Sequence, residues 1–276
     1  MKQCTIHSEF TLEGVTLHTG VKTAVTLCPA AKNTGIRIRR IDLAGQPERE
    51  ALARYVFTTN RGTKLQDGDW SVGTLEHMMA ALYALGITNC LIKLDGPEVP
   101  ILDGSAKPYV EAIESVGIDE QEAEVKTWVV TEPIHFEQGQ SSLTIEPADH
   151  YEVEVTVKYK SPSVRTQTAS LTNLKQFVAE FSQARTFCFL HEILPLLCVG
   201  LIKGGSLKNA LVLSAFGPLS KLRYPNEPAR HKLLDLMGDL ALSGVYIQGK
   251  ITAVCPGHRF NTNCCRRLME SVEWRV

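Results

Sequence analysis

The sequence predicts an α+β protein made of two copies of one unit, each a sheet with helices on one face. Three observations carry this. Short alternating segments of strand character dominate both halves, with few long helical stretches. In each half a helix bearing an acid and a histidine ends in glycine and runs directly into a strand, from Gly86 to Leu94 and from Gly244 to Val254. At 276 residues the chain has room for two modest cores. If the helical faces of the two copies meet, these helices lie between two sheets.

In chain order, residues 5–28 read as two strands around the glycine-rich turn Thr16-Leu17-His18-Thr19-Gly20, and Ile36–Arg40 as a half-exposed strand. A polar loop is expected over 42–54. A helix is expected from about Thr74 to Leu85, with Gly86 in the position after its last turn, followed by the strand Cys90–Leu94. Pro108–Val116 reads as a second helix. The acidic run Asp119–Glu124 is the candidate linker, dividing the chain into domains at 1–122 and 127–276. Beyond it, strands are expected at Trp128–Thr131, Ser142–Ile145 and Val153–Lys158, and helices at Leu174–Phe181 and Glu192–Gly200. Gly204-Gly205-Ser206 is a tight turn. Glu227–Ser243 reads as the longest helix, with Pro228 in its first turn, and Ile247–Val254 as the final strand.

Composition excludes several classes. A formal net charge of −1 argues against disorder and against a general basic field for nucleic acid. No apolar run approaches the ~20 residues that span a bilayer. The N-terminal Met1–His7 lacks the apolar core of a signal peptide, so a cytoplasmic protein is the expectation. The eight cysteines form no C-x-x-C pair and are read as reduced thiols, mostly small buried hydrophobes.

The chemistry-bearing residues fall in three places. On the long helix, His231, Asp235 and Asp239 are spaced i, i+4, i+8. Four residues turn about 400°, so the three drift only ~80° and share one stripe. A histidine and a carboxylate one turn apart can reach one metal ion, although the same spacing also describes a polar face with an intrahelical ion pair. Glu76-His77 is the second place. Adjacent helix residues point about 100° apart, so one can ligate while the other addresses what binds there. Taken alone, the pair is better explained by an exposed glutamate beside a partly buried histidine. The third is Cys255-Pro256-Gly257-His258, whose turn leaves His258 projecting from a strand end in a loop. The remaining histidines, His7, His18, His135, His150 and His191, have no carboxylate partner in sequence. Among them His18, in the Gly14–Gly20 turn, stands nearest a motif.

Together these pieces fit a mononuclear metal hydrolase. His77, His231 and Asp235 would be the ligands, leaving a position for water whose pKa the metal lowers. Glu76 would be the general base, and His258, oriented by Asp239, the protonated partner.

Longer stretches then carry a resemblance. They are Gly14–Gly20, Ser71–Asn89 around Leu75-Glu76-His77, Gly96-Pro97-Glu98-Val99-Pro100-Ile101-Leu102-Asp103-Gly104-Ser105-Ala106, Ala184-Arg185-Thr186-Phe187, Lys203-Gly204-Gly205-Ser206, Arg230–Asp235 through Gly238-Asp239, and Pro256-Gly257-His258. In this order, over nearly the whole chain, they resemble the UDP-3-O-acyl-N-acetylglucosamine deacetylases, the zinc amidases of lipid A biosynthesis. The resemblance implies a duplicated two-domain sandwich, each domain a mainly antiparallel sheet, with the helices and the active site between the sheets. It implies zinc, or ferrous iron, on His77, His231 and Asp235, with Glu76 as base and His258 as acid or oxyanion stabiliser partnered by Asp239. It further implies that Thr186 hydrogen-bonds the oxyanion, Lys232 meets the nucleotide phosphate, and an acyl passage runs near Phe187–Leu201, with Phe187 and Phe189 lining it. The expected partner is the UDP-linked acylated glucosamine substrate, with no nucleic acid and no obligate protein partner. Two positions depart from the family's pattern. Phe260 follows where Gly-His-x-Leu-Asn is common, and Cys188 stands where glycine is common. The first half looks most like a subgroup fused to a C-terminal acyl-carrier-protein dehydratase, a domain the 276 residues are not expected to contain. Two other readings stay open from the sequence: a non-catalytic acyl-sugar-nucleotide binder of the same fold, and a metal hydrolase of a different amide.

Overall fold

The computed structural model describes residues 1–161 and 163–271. Its centre is a pair of helices, α1 (Glu76–Ala84) and α4 (Glu227–Ala241), packed against each other. Every residue of α1 from Glu76 to Leu82 is buried, and so is nearly all of α4. A helix covered on all sides has no solvent face on which to put its acids and histidines, so these must be satisfied by each other or by a ligand. The helices come unusually close at Gly238. A Cβ there would sit 2.0 Å from the Glu76 carbonyl oxygen, so only glycine permits this approach.

A sheet belongs to each half, and the two share one strand order. The first sheet runs Phe10–Val15, Lys22–Pro29, Cys90–Leu94, Ile36–Arg40, Glu48–Glu50. The second runs Ile134–Gln138, Ser141–Glu146, Tyr246–Val254, Tyr151–Val157, Gln167–Leu171. In both, the last strand in sequence enters the middle, between the second and third. It pairs antiparallel with the second and parallel with the third. In both, α1 or its counterpart α4 feeds that middle strand, which leads on to a second helix, α2 (Lys107–Val116) or α5 (His258–Ser271). The helix–glycine–strand repeat read from the sequence is therefore a duplication of the whole topology. Gly86 and Gly244 close the two feeding helices at φ 73° and 74°, in the left-handed region that an L side chain resists. Strands alternate as expected, with Val153, Val155 and Val157 inward.

Each half carries an insertion between its outermost strand and its buried helix. In the first half it is a meander of Val56–Thr58, Lys64–Asp67 and Trp70–Gly73. In the second, Phe187–Phe189 pairs with Leu211–Ser214, which pairs with Gly217–Pro218, and α3 (Leu190–Cys198) packs on this small sheet.

Several sequence expectations are corrected. The linker Asp119–Glu124 lies in a strand, Ile118–Glu124, paired antiparallel with Lys2–Ile6. Its acids stay in water while backbone hydrogen bonds tie it to the N-terminal strand. His258 is not in a loop. It opens α5, because Gly257 leads straight into a helix whose start the Pro-Gly turn signal conceals. The loop over 42–54 contains a short strand, and the helix read over 174–181 is a single wide turn, Phe177–Phe181. Four of the eight thiols are buried, Cys28, Cys90, Cys264 and Cys265, whereas Cys198 is exposed. Burial pushes the Cys90 and Cys264 thiols up to about 12, keeping them protonated. Among the described residues no helix is long and apolar enough to cross a membrane.

Candidate metal and catalytic site

Helices α1 and α4 bring the two halves of the site together. His77 comes from the first, His231 and Asp235 from the second, and their ligand atoms all lie within 4.8 Å of one another. Asp235 Oδ1 is 3.3 Å from His231 Nε2 and 3.6 Å from His77 Nε2, and the imidazole rings stand edge to face at 5.0 Å. His231 Nδ1 is 3.0 Å from the carbonyl oxygen of Ala184. A carbonyl only accepts, so Nδ1 carries the proton and Nε2 presents a lone pair toward Asp235. Burial drives the His231 pKa down to about 3, keeping this imidazole neutral. Asp235 Oδ1 is buried and has no hydrogen-bond partner. An orphaned carboxylate oxygen between two buried imidazoles is an expensive arrangement unless a cation completes it. The residues present therefore fit a divalent metal ion.

Around this cluster lie the acid–base groups. Glu76 is buried, not exposed as the simplest sequence reading had it. One of its oxygens accepts the backbone N–H of Thr63 at 3.2 Å, and the other is 3.9 Å from His258 Nε2. Burial raises its pKa above the ordinary carboxylate value. His258 Nδ1 donates to Asp239 Oδ2 at 2.9 Å, while Nε2 faces Asp235 and Glu76. Burial alone would depress His258. The carboxylates of Asp239, Asp235 and Glu76 outweigh it and lift the pKa to about 9, so the imidazolium is the resident form near neutrality. Asp239 is wholly buried and also accepts from Thr63 Oγ1 at 2.5 Å and Asn261 Nδ2 at 2.9 Å.

Lys232 Nζ donates to Asp235 Oδ2 at 2.6 Å and lies 5.6 Å from the Phe187 ring centroid. Burial opposes its charge, but Asp235 raises its pKa. Burial also works against ionised Asp235, yet the charges of Lys232 and His258 hold its pKa well below the ordinary range. Phe187 and Phe189 stand edge to face with each other and with Tyr159. Thr186 is held through its backbone, its N–H donating to Gly104 at 2.7 Å and its carbonyl accepting from Leu211 at 2.8 Å. Glu76, His77, Thr186, Phe187, Phe189, His231, Lys232, Asp235 and His258 all line one cavity of about 250 Å³, while Asp239 sits behind His258 outside it.

Sequence reasoning passed over the residues that hold these groups still. Thr63 binds Glu76 with its backbone and Asp239 with its hydroxyl, thereby tying two buried carboxylates from the two helices to one segment. Its signal was the Thr59-Asn60-Arg61-Gly62 turn, where even a Cβ at Gly62 would reach within 3.1 Å of Glu76 Oε1. Arg185 and Glu227 form a buried pair at 2.8 Å that fixes the segment before Thr186 to the start of α4. Buried Glu98 accepts the N–H groups of His18 and Thr19 at 2.8 and 3.0 Å. Gly104 and Gly204, from two recognised stretches, abut the backbones of Asn209 and Thr16 so closely that a Cβ would overlap them at 1.9 and 2.1 Å. The motifs without reactive groups are thus places where chain segments cross. Three histidines read as lacking carboxylate partners have them at the surface: His7 with Asp119, His135 with Glu137 and His150 with Glu152. His18 stands apart from these, its ring nitrogens buried without partners.

Comparison with known proteins follows the same lines. Residues 3–270 match the family model described as LpxC, UDP-3-O-acyl N-acetylglycosamine deacetylase. The chain is 43% identical over 300 residues to the bifunctional enzyme LpxC/FabZ of Porphyromonas gingivalis, a match covering 99% of this chain and 65% of that protein. The same figures hold for the bifunctional enzyme of Bacteroides thetaiotaomicron. It is 40% identical over 270 residues to the UDP-3-O-acyl-N-acetylglucosamine deacetylase of Myxococcus xanthus, covering 97% of this chain and 86% of that one. The chain thus spans just under two thirds of the length of the bifunctional relatives.

Proposed function

The chain belongs to the LpxC family of UDP-3-O-acyl N-acetylglycosamine deacetylases, and from that premise we propose that it removes the N-acetyl group of UDP-3-O-acyl-N-acetylglucosamine, releasing acetate, as a zinc-dependent cytoplasmic step of lipid A biosynthesis. The observation that carries the reading is the orphaned Asp235 oxygen set between His77 and His231, with an uncoordinated glutamate and a histidine of raised pKa beside it. Held by these three side chains, zinc would supply a Lewis acid for the amide carbonyl and for water.

The chain's own groups have separable tasks. Glu76, its pKa raised by burial, takes a proton from the attacking water. His258, protonated and oriented by Asp239, gives a proton to the departing amine nitrogen of the sugar. The Thr186 hydroxyl donates to the oxygen that becomes negative as the carbonyl carbon turns tetrahedral. Lys232 exchanges part of its pairing with Asp235 for the nucleotide phosphate. Phe187 and Phe189 line the apolar side of the cavity and receive the acyl chain.

The test is an acetate-release assay on purified protein of measured metal content. Turnover that vanishes on chelation and returns with zinc supports the proposal. Full turnover in metal-free protein sinks it, and tight substrate binding without acetate release favours the non-catalytic binder instead.

A further inference from the structure

Helix α3 and the small sheet beneath it are unlike the rest of the surface. Seven of the fourteen large apolar side chains exposed among the described residues fall between Leu190 and Leu219. No residue of α3 is fully buried. Leu190, Leu194 and Leu197 recur at i, i+4 and i+7 along one stripe, with Leu194 71% exposed, and Val199 continues it past the helix end. At the tip of the hairpin joining Leu211–Ser214 to Gly217–Pro218, Phe216 is wholly exposed, and half-exposed Leu219 follows. Exposed apolar area of this kind marks a surface that meets something.

Charge says what it meets. From Lys158 to Arg223 nine Lys and Arg stand against two Glu, and of the nine Arg185 is paired with Glu227 and Arg223 with Asp103, leaving seven in a chain whose overall formal charge is −1. Both acids are neutralised, Glu180 by Arg230 and Glu192 by Arg61. Lys160 and Arg165 adjoin Tyr159 and Val164, which pack on the small sheet, and Lys221 adjoins Leu222, which does the same. Lys203 reaches back to Gly200 at the end of α3. Lys203, Lys208 and Lys221 are exposed and unpaired by any acid among the described residues. A second copy docking face to face would set this basic surface against itself. A lone aromatic at a hairpin tip, an aliphatic stripe and a collar of lysines match the headgroup boundary of an anionic bilayer.

We infer that the α3 insertion is a docking surface for an anionic lipid bilayer, entered by Phe216 and the Leu194–Leu197 stripe and held by Lys203, Lys208 and Lys221. This goes beyond the reaction proposed above and is read without turnover, so either can fail alone. The probe is flotation with vesicles of phosphatidylcholine containing about 30% phosphatidylglycerol, compared with pure phosphatidylcholine. The wild-type chain is expected to float with the anionic vesicles and to be released as salt rises from ~50 to ~500 mM. Phe216→Ser and the pair Leu194→Gln, Leu197→Gln should each weaken partitioning about ten-fold, because apolar burial is lost with charge unchanged. Lys208→Glu should weaken it about five-fold or more. All these positions are exposed, so unchanged circular dichroism and thermal unfolding are expected and give the control. No binding to anionic vesicles at low salt overturns the inference, as does binding that Phe216→Ser leaves unaltered. Self-association in sedimentation velocity that Phe216→Ser abolishes, without vesicle binding, overturns it in favour of a second copy.

Discussion

Replacing Asp239 by asparagine tests the acid–base arrangement at its most buried point. The carboxylate accepts from Thr63, His258 and Asn261. An asparagine fits the same space, its oxygen accepting from His258 and Asn261 and its amide donating to the Thr63 hydroxyl, so the fold survives while the charge goes. Asp239 is the largest of the influences raising His258, whose pKa stands at about 9 against an ordinary 6.5. That rise of about 2.5 units corresponds to ~3 kcal/mol favouring the imidazolium. Asp235 and Glu76 also contribute, so removing Asp239 should forfeit the largest single share of that rise and leave the remainder. The sign follows from the role. An acid must be protonated to act, so activity falls as pH rises through its pKa, and lowering that pKa brings the alkaline limb toward neutrality. Acetate release measured across pH should show that limb moving down by about one unit or more, with a loss at pH 8 several times that at pH 6. The bound cation acts on wild type and variant alike, so the displacement between the two profiles is the readout. Coincident alkaline limbs would refute the assignment of His258 as the acid and of Asp239 as its positioning partner.

Glu76→Ala should keep its metal while losing ~10²-fold or more in rate, since the base goes and the ligands stay; near-normal turnover with full metal content removes Glu76 from the chemistry. His77→Ala should lose both, and metal analysis after dialysis checks it. The raised pKa of Glu76 places the acid limb of the wild-type profile above the ordinary carboxylate value, activity falling as pH drops and the base becomes protonated; a limb at or below that ordinary value speaks against a buried base. Gly238→Ala should cost about 1–3 kcal/mol or more, because its methyl group meets the Glu76 carbonyl and the helices must part. A melting temperature unchanged from wild type contradicts that crossing.

The sequence exposes those parts of the site that lie on one element. His231 and Asp235 are legible because a four-residue step keeps both on one face of α4, and Glu76 beside His77 because adjacent helical positions serve one cavity from two directions. That these helices cross is not legible from spacing. It depends on Gly238, which reads in sequence only as a weak position in a good helix. Thr63 escaped for the same reason, since its two bonds reach residues 13 and 176 positions away. The strand Ile118–Glu124 was hidden by its acids, which suit a solvated loop as well as an edge strand, and α5 by the Pro256-Gly257 turn before it. The duplication was visible as helix, glycine and strand, but the middle placement of Cys90–Leu94 and Tyr246–Val254 is a property of pairing that single-strand patterns do not carry.

Because His77 stands on one half and the His231–Asp235 pair on the other, an ion lodged among them is also a rivet through the molecule. Its affinity adds to the free energy keeping the halves docked, so unfolding temperature should climb with free metal concentration even when nothing is being hydrolysed. A cell short of the ion would then hold less of this protein as well as a slower one, since a loosened seam offers proteases a way in.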